Sequence, residues 1–129
     1  MYVEGPLVNL ALASNGATAI QSTTSHNAPA SRAIDGDTTG LWTGNSVTHT
    51  NGENAWWELA LAVESSIESI RLYNRTDAMS RLTDVTVQVL DADRNVVKES
   101  DVLDASDKAF IDIPDMSSTG PWTTCLEYQ

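Results

Sequence analysis

The chain has 129 residues, 41% of them apolar, and a formal net charge of −11. That length buries one core and not two, so a single domain over residues 1–129 is expected. Eighteen acidic residues against seven basic ones argue against nucleic acid or an anionic membrane as partner, since a phosphate-binding face needs clustered cations.

Residues 1–31 are short apolar pieces separated by Ser, Thr, Asn, Gly and Ala, and predict loops with brief strands. Met1 to Ala11 lacks the basic start and long apolar run of a signal peptide, and no membrane-length apolar stretch follows, so membrane insertion is not expected. Ser14-Asn15-Gly16 carries turn chemistry, as does Ser25 to Ala28 before Pro29. Ser31 to Ile34 allows one helical turn, and Asp35-Gly36-Asp37 opens a polar loop.

From residue 56 the pattern turns to strand. Trp56-Trp57-Glu58-Leu59 is short and aromatic, and Ile70 and Leu72 alternate with Arg71 and Tyr73. Val85, Val87 and Val89 alternate over a full strand length. Asp91 to Asn95 is a turn, with Val96-Val97 as the returning partner. Phe110 to Ile113 is a further short strand, stopped by Pro114. No window supports a long helix. Many short strands with turns between them predict an all-β fold, an antiparallel sandwich or jelly roll. Trp56, Leu59, Ile70, Leu72, Val85, Val87 and Val89 are the expected core, because alternation turns one face of each strand inward.

His49 lies in a loop, and Arg75 and Arg81 flank Asp77 just after a strand. One histidine with two arginines supplies many fixed hydrogen-bond donors and little acid–base or nucleophilic machinery. That suits a neutral, polyhydroxylated ligand. His26 falls in a loop remote in sequence, and no second histidine stands at zinc-ligand spacing from His49. No nucleophile elbow accompanies the serines, and no carboxylate pair stands out for glycoside hydrolysis. The chain is therefore not expected to be an enzyme. Ile34-Asp35-Gly36-Asp37 offers oxygen donors but lacks the spacing of an EF-hand. Cys125 is alone, so no intrachain disulfide forms.

Several pieces in order carry a resemblance over about residues 9–98. They are Asn9 to Ser14, Gln21-Ser22-Thr23, Ala33 to Asp37, Trp42, Thr48-His49-Thr50, Trp56 to Leu59 and Leu72 to Asp77. The chain resembles the F-type lectins, or fucolectins, relatives of the discoidin and coagulation-factor C domains with a galactose-binding-like β-jelly roll. The resemblance implies a non-catalytic lectin for terminal α-L-fucose on glycans, secreted or at the cell surface, with homo-oligomers open. It makes His49, Arg75 and Arg81 the sugar ligands, with Asp77 and Met79 beside them. It also implies a structural cation, calcium, held by carbonyls of Arg32 and Asp37, by Asp35, by Ser46 and by Glu127, all hard oxygen donors.

The chain departs from that family at three places. Ala78-Met79 stands where an adjacent cysteine pair is usual, Met79 offering a soft apolar contact instead. The Arg75-to-Arg81 spacing is one residue shorter. The C-terminus is short, which predicts an incomplete closing strand, and Cys125 is followed by Leu126 before Glu127 where the family has the glutamate directly after the cysteine. The missing cysteine pair and the shortened spacing favour the alternative, a galactose-binding-like carbohydrate-binding or adhesion module with another sugar or a protein ligand, whereas His49 with both arginines favours fucose. Asn74-Arg75-Thr76 matches a glycosylation sequon, read as coincidence because a glycan there would block the site.

Overall fold

A computed structural model describes residues 1–5 and 8–128. Nine strands are described: β1 (Tyr2–Gly5), β2 (Val8–Asn9), β3 (Thr18–Gln21), β4 (Trp56–Ile67), β5 (Ser69–Tyr73), β6 (Thr86–Leu90), β7 (Val96–Glu99), β8 (Phe110–Asp112) and β9 (Ser118–Tyr128). They form two antiparallel sheets, one four-stranded in the order β2-β1-β5-β8, the other five-stranded in the order β3-β4-β9-β6-β7. The expected β-sandwich is thus the observed one. Helical structure among the described residues is confined to 3-10 turns, including Ala30–Ile34, Trp42–Gly44 and Met79–Arg81. Among the described residues no helix is long and apolar enough to cross a membrane.

The core lies between the sheets. Leu59, Ile70, Leu72, Val85, Val87 and Val89 are all buried there, joined by Val3, Ile67, Met116 and Cys125. Trp56 corrects the sequence expectation: it is half-buried, and Trp57 takes the core position at 5% exposure. Strand period two allows only one tryptophan of an adjacent pair to face inward. Trp57 pairs with Gln21 on one side and Glu127 on the other, and its indole N–H donates to the Ala30 carbonyl at 3.1 Å.

Strand β4 is three times the expected length, twelve residues. Its apolar alternation breaks at a register shift between Ala60 and Ser65, which hides the second half from a period-two reading. The C-terminal segment is the larger surprise. It runs as β9 through the centre of the five-stranded sheet, paired with β4 and β6. Arg94, in the β6–β7 turn, reaches past β9 to Glu58 on β4 at 2.7 Å.

Candidate functional site

The site is built at one end of the sandwich from four loops, three of which line a cavity of about 600 Å³. His49, Arg75 and Arg81 all line it. So do Asp37, Ser46 and Glu127 from the expected cation set. Asp77, Met79, Arg32 and Asp35 do not.

The first two loops, 22–29 and 45–55, are zipped together around His49. Ser25 N–H donates to the His49 carbonyl at 2.9 Å, and His49 N–H donates to the Ala28 carbonyl at 3.2 Å. Thr23 closes the far end: its hydroxyl donates to the Asn51 carbonyl at 2.9 Å and accepts Asn51 N–H at 2.8 Å. The Arg32 guanidinium bridges both loops by donating to the Asn27 carbonyl at 3.1 Å and the Val47 carbonyl at 3.4 Å.

This zipper corrects the reading of His26 as remote. Its ring lies 4.6 Å from that of His49, centroid to centroid, and the Trp42 indole stands edge-on to both at 5.9 and 6.0 Å. His26 and Asn27 both hold φ near 55°, the left-handed region that Asn and His tolerate better than most residues. No sequence signal announces the cluster, because it depends on two loops pairing across 28 positions. The result is an aromatic wall beside the donors. His49 Nδ1 is buried there without a hydrogen-bond partner among the described residues.

The third loop leaves β5. Asn74 is buried, and its amide donates to the carbonyls of Met79 at 2.9 Å, Ala105 at 2.9 Å and Lys108 at 3.1 Å. One side chain thus folds the Arg75-to-Arg81 segment back on itself. A glycan on this buried amide would break all three bonds.

Arg75 follows. Its Nε donates to Asp77 Oδ1, and its guanidinium carbon sits 5.1 Å from the Trp42 ring centre. The other carboxylate oxygen of Asp77 accepts Trp42 N–H at 3.1 Å. Both oxygens of Asp77 are therefore committed to placing Arg75 and Trp42. Arg75 beside it, and then Trp42 N–H, hold the Asp77 carboxyl below its ordinary value. The Nη hydrogens of Arg75 have no partner among the described residues and remain available as a fork. Arg81 ends the Met79–Arg81 turn exposed, with no carboxylate in ion-pair range among the described residues. Met79 is half-buried outside the cavity, and its carbonyl serves Asn74.

Loop 37–46 is fixed to this third loop through Gly40. Thr76 N–H donates to the Gly40 carbonyl at 2.8 Å, and the Thr76 hydroxyl to the Thr39 carbonyl at 2.8 Å. A Cβ on Gly40 would lie 2.7 Å from the Asn74 carbonyl oxygen, and φ there is +72°, so only glycine permits the approach.

The expected cation ligands fall into two groups. Asp35 accepts Asp37 N–H at 2.9 Å, Asp37 accepts Thr39 N–H at 3.0 Å, and the Asp37 carbonyl accepts the Ser46 hydroxyl at 3.1 Å. That knot of turns pulls the Asp37 carboxyl below its usual value, the Thr39 N–H contributing most. Glu127 is buried on the inner face of β9, in register with Trp57 and Val87. Close to it the terminal ammonium of Met1 donates to the Ala33 carbonyl at 2.9 Å. Burial lowers the pKa of that ammonium, and the charges of Glu127 and Asp35 oppose the shift. The Ala33 carbonyl, Glu127 and Asp35 thus lie near one another at this end of the sandwich. Among the described residues no three His, Cys, Asp or Glu side chains gather as a metal centre, so carbonyls and a hydroxyl would complete such a site. Cys125 takes no part: burial pushes its thiol up to about 12.

A two-sheet sandwich with a donor-rich cavity at its loop end defines a galactose-binding-like module that binds carbohydrate. More particularly, the chain belongs to the NedA-like galactose-binding domain family, whose model matches residues 32–127. Solved structures agree. A fucose-binding module of Streptococcus pneumoniae is 28% identical with a TM-score of 0.80, over 93% of this chain and 83% of that one. A His 62 mutant of the lectin-binding domain of lectinolysin, in complex with Lewis b, is 26% identical with a TM-score of 0.82, over 97% and 94%. A fucolectin from the serum of striped bass, Morone saxatilis, shares the fold at 20% identity and a TM-score of 0.77, over 98% of this chain and 47% of that one. No curated protein sequence matches the chain.

Proposed function

We propose that the chain is a non-catalytic lectin module that binds terminal α-L-fucose on glycans outside the cell. The observation that carries this reading is the meeting of His49, Arg75 and Arg81 on one cavity. Arg75 offers its Nη fork to ring and hydroxyl oxygens, already aimed by Asp77. A guanidinium keeps its charge at every physiological pH and presents donors in a fixed plane. Trp42 and His26 pack behind His49, the member of the aromatic cluster that lines the cavity, and hold its ring in place. Two structural relatives above 25% identity are named for fucose binding or for a Lewis b complex, which supports the same ligand class.

Calcium belongs to the same proposal. The carbonyls of Arg32 and Asp37, the Asp35 carboxylate, Ser46 and Glu127 would hold it, and its charge would brace the loop between Ser46 and His49. An ion bound only by the folded chain stabilises it by about 2.7 kcal/mol at a hundredfold excess over its dissociation constant.

A glycan array run with and without chelator tests both parts. Binding confined to fucosylated glycans, weaker after chelation, is the expected outcome. Binding to galactose-terminated glycans alone would replace fucose with the alternative ligand, a reading favoured by Met79 lying outside the cavity. An array and a melting curve indifferent to chelator would remove calcium.

A further inference from the structure

The outer face of the four-stranded sheet carries a second pocket of about 200 Å³, lined by Tyr2, Glu4, Ser69, Arg71, Tyr73 and Asp112. Tyr2 and Tyr73 also line the main cavity, so the two spaces share a wall. Alternation along β5 explains the arrangement. Ser69, Arg71 and Tyr73 point outward while Ile70 and Leu72 are buried. Cross-strand register then sets Tyr2 and Asp112 on either side of Arg71, Glu4 beside Ser69, and Phe110 beside Tyr73.

These groups make an aromatic and polar platform. The Arg71 guanidinium lies 4.1 Å from the Phe110 ring centre, and the Phe110 and Tyr73 rings are 5.8 Å apart. Arg71 is held flat by a two-pronged pair with Asp112, Nε to Oδ1 at 2.8 Å and Nη2 to Oδ2 at 3.2 Å. The Tyr73 side chain also hydrogen-bonds this guanidinium, so Arg71 is braced from both sides. Glu4 accepts the Ser69 hydroxyl through one oxygen at 3.0 Å and keeps lone pairs on the other. Phe110 remains 42% exposed. An exposed aromatic ring next to oriented donors and acceptors offers a flat face on which a sugar ring can stack.

We propose that this face is a second subsite, taking the sugar units that follow fucose in a neutral oligosaccharide. The inference rests on the fucose reading of the main cavity. Strand rise places Arg71 roughly 13 Å from Arg75, four residues further along, a distance that a short glycan spans. Glu4, Asp112 and Arg71 together read hydroxyls, and the excess of carboxylate disfavours sulfated or carboxylated sugars. Tyr73 and Phe110 supply flat apolar contact for the C–H faces of pyranose rings.

Titration calorimetry with L-fucose, with a linear fucose-terminated pentasaccharide, and with the same glycan lacking fucose tests it. The variants are Phe110→Ala and Arg71→Lys, the second keeping the charge but losing the fork. The intact chain should bind the pentasaccharide about threefold to tenfold more tightly than fucose, and both variants should lose that gain while holding fucose unchanged. Amide NMR shifts on the intact chain give a readout that no folding defect disturbs. Phe110 and Asp112, which do not line the main cavity, should shift with the pentasaccharide and stay still with fucose. Equal affinities for the two ligands, or unmoved amides on this face, overturn the subsite and leave the fucose reading standing. Absence of fucose binding in the intact chain overturns that reading and the subsite with it.

Discussion

The two ends of the explanation sit in different parts of the molecule. The sheets hold by burial: Leu59, Val87 and Val89 have no exposed surface, and each is one of many apolar contacts. The loop end holds by hydrogen bonds to a few polar side chains, Asn74, Asp77, Thr23 and Arg32, each of which fastens two or more segments. Burial is spread widely and tolerates sequence change. The polar fasteners are single points, so their loss should damage the site far more than it damages the fold.

The largest effect on stability is expected in the sheets. Leu59→Ala removes a fully buried side chain and should cost about 2–5 kcal/mol in urea unfolding, with sugar affinity of the folded fraction unchanged. A comparable loss of affinity would mean that site and core are not separable. Asn74→Ala should cost less, about 1–3 kcal/mol for the buried carbonyls it strands, yet weaken sugar binding markedly by freeing the Arg75 loop. Affinity preserved in that variant would show that the loop is held in some other way.

Acid should separate the two regions more gently. Asp77 and Asp37 both titrate below the usual 3.8, one through Arg75 and the other through Thr39. A carboxylate with a depressed folded-state pKa stabilises above its unfolded value, and that contribution fades as pH falls through the folded one. Amide protection in residues 37–46 and 75–81, measured relative to the free peptide rate at each pH, should therefore fall as pH drops below 3.8 while β6 and β9 keep theirs. Uniform loss in both regions would contradict the division.

The same division explains what the sequence makes legible. Val85, Val87 and Val89 declare their strand because burial imposes a period of two, and Arg75 and Arg81 stand out because cations are scarce in this chain. The tryptophan pair shows the limit: periodicity says that one ring faces inward, and only pairing with Gln21 and Glu127 selects Trp57. Strand β9 escapes notice because Gly120-Pro121 interrupts it and its burial comes from neighbours on both sides. The placement of His26 against His49, and the use of Asp77 as a clamp on Trp42, arise from loops remote in sequence and leave no local pattern.

The central claim is that Arg75, aimed by Asp77 beside Trp42, is the main sugar donor. Titration calorimetry of L-fucose against the intact chain and Arg75→Ala tests it most directly, with circular dichroism confirming that the sheets persist. Each charge-assisted bond lost is worth about 1.5–3 kcal/mol, so affinity should fall at least about tenfold. Fucose affinity unchanged in a folded Arg75→Ala chain would contradict the account.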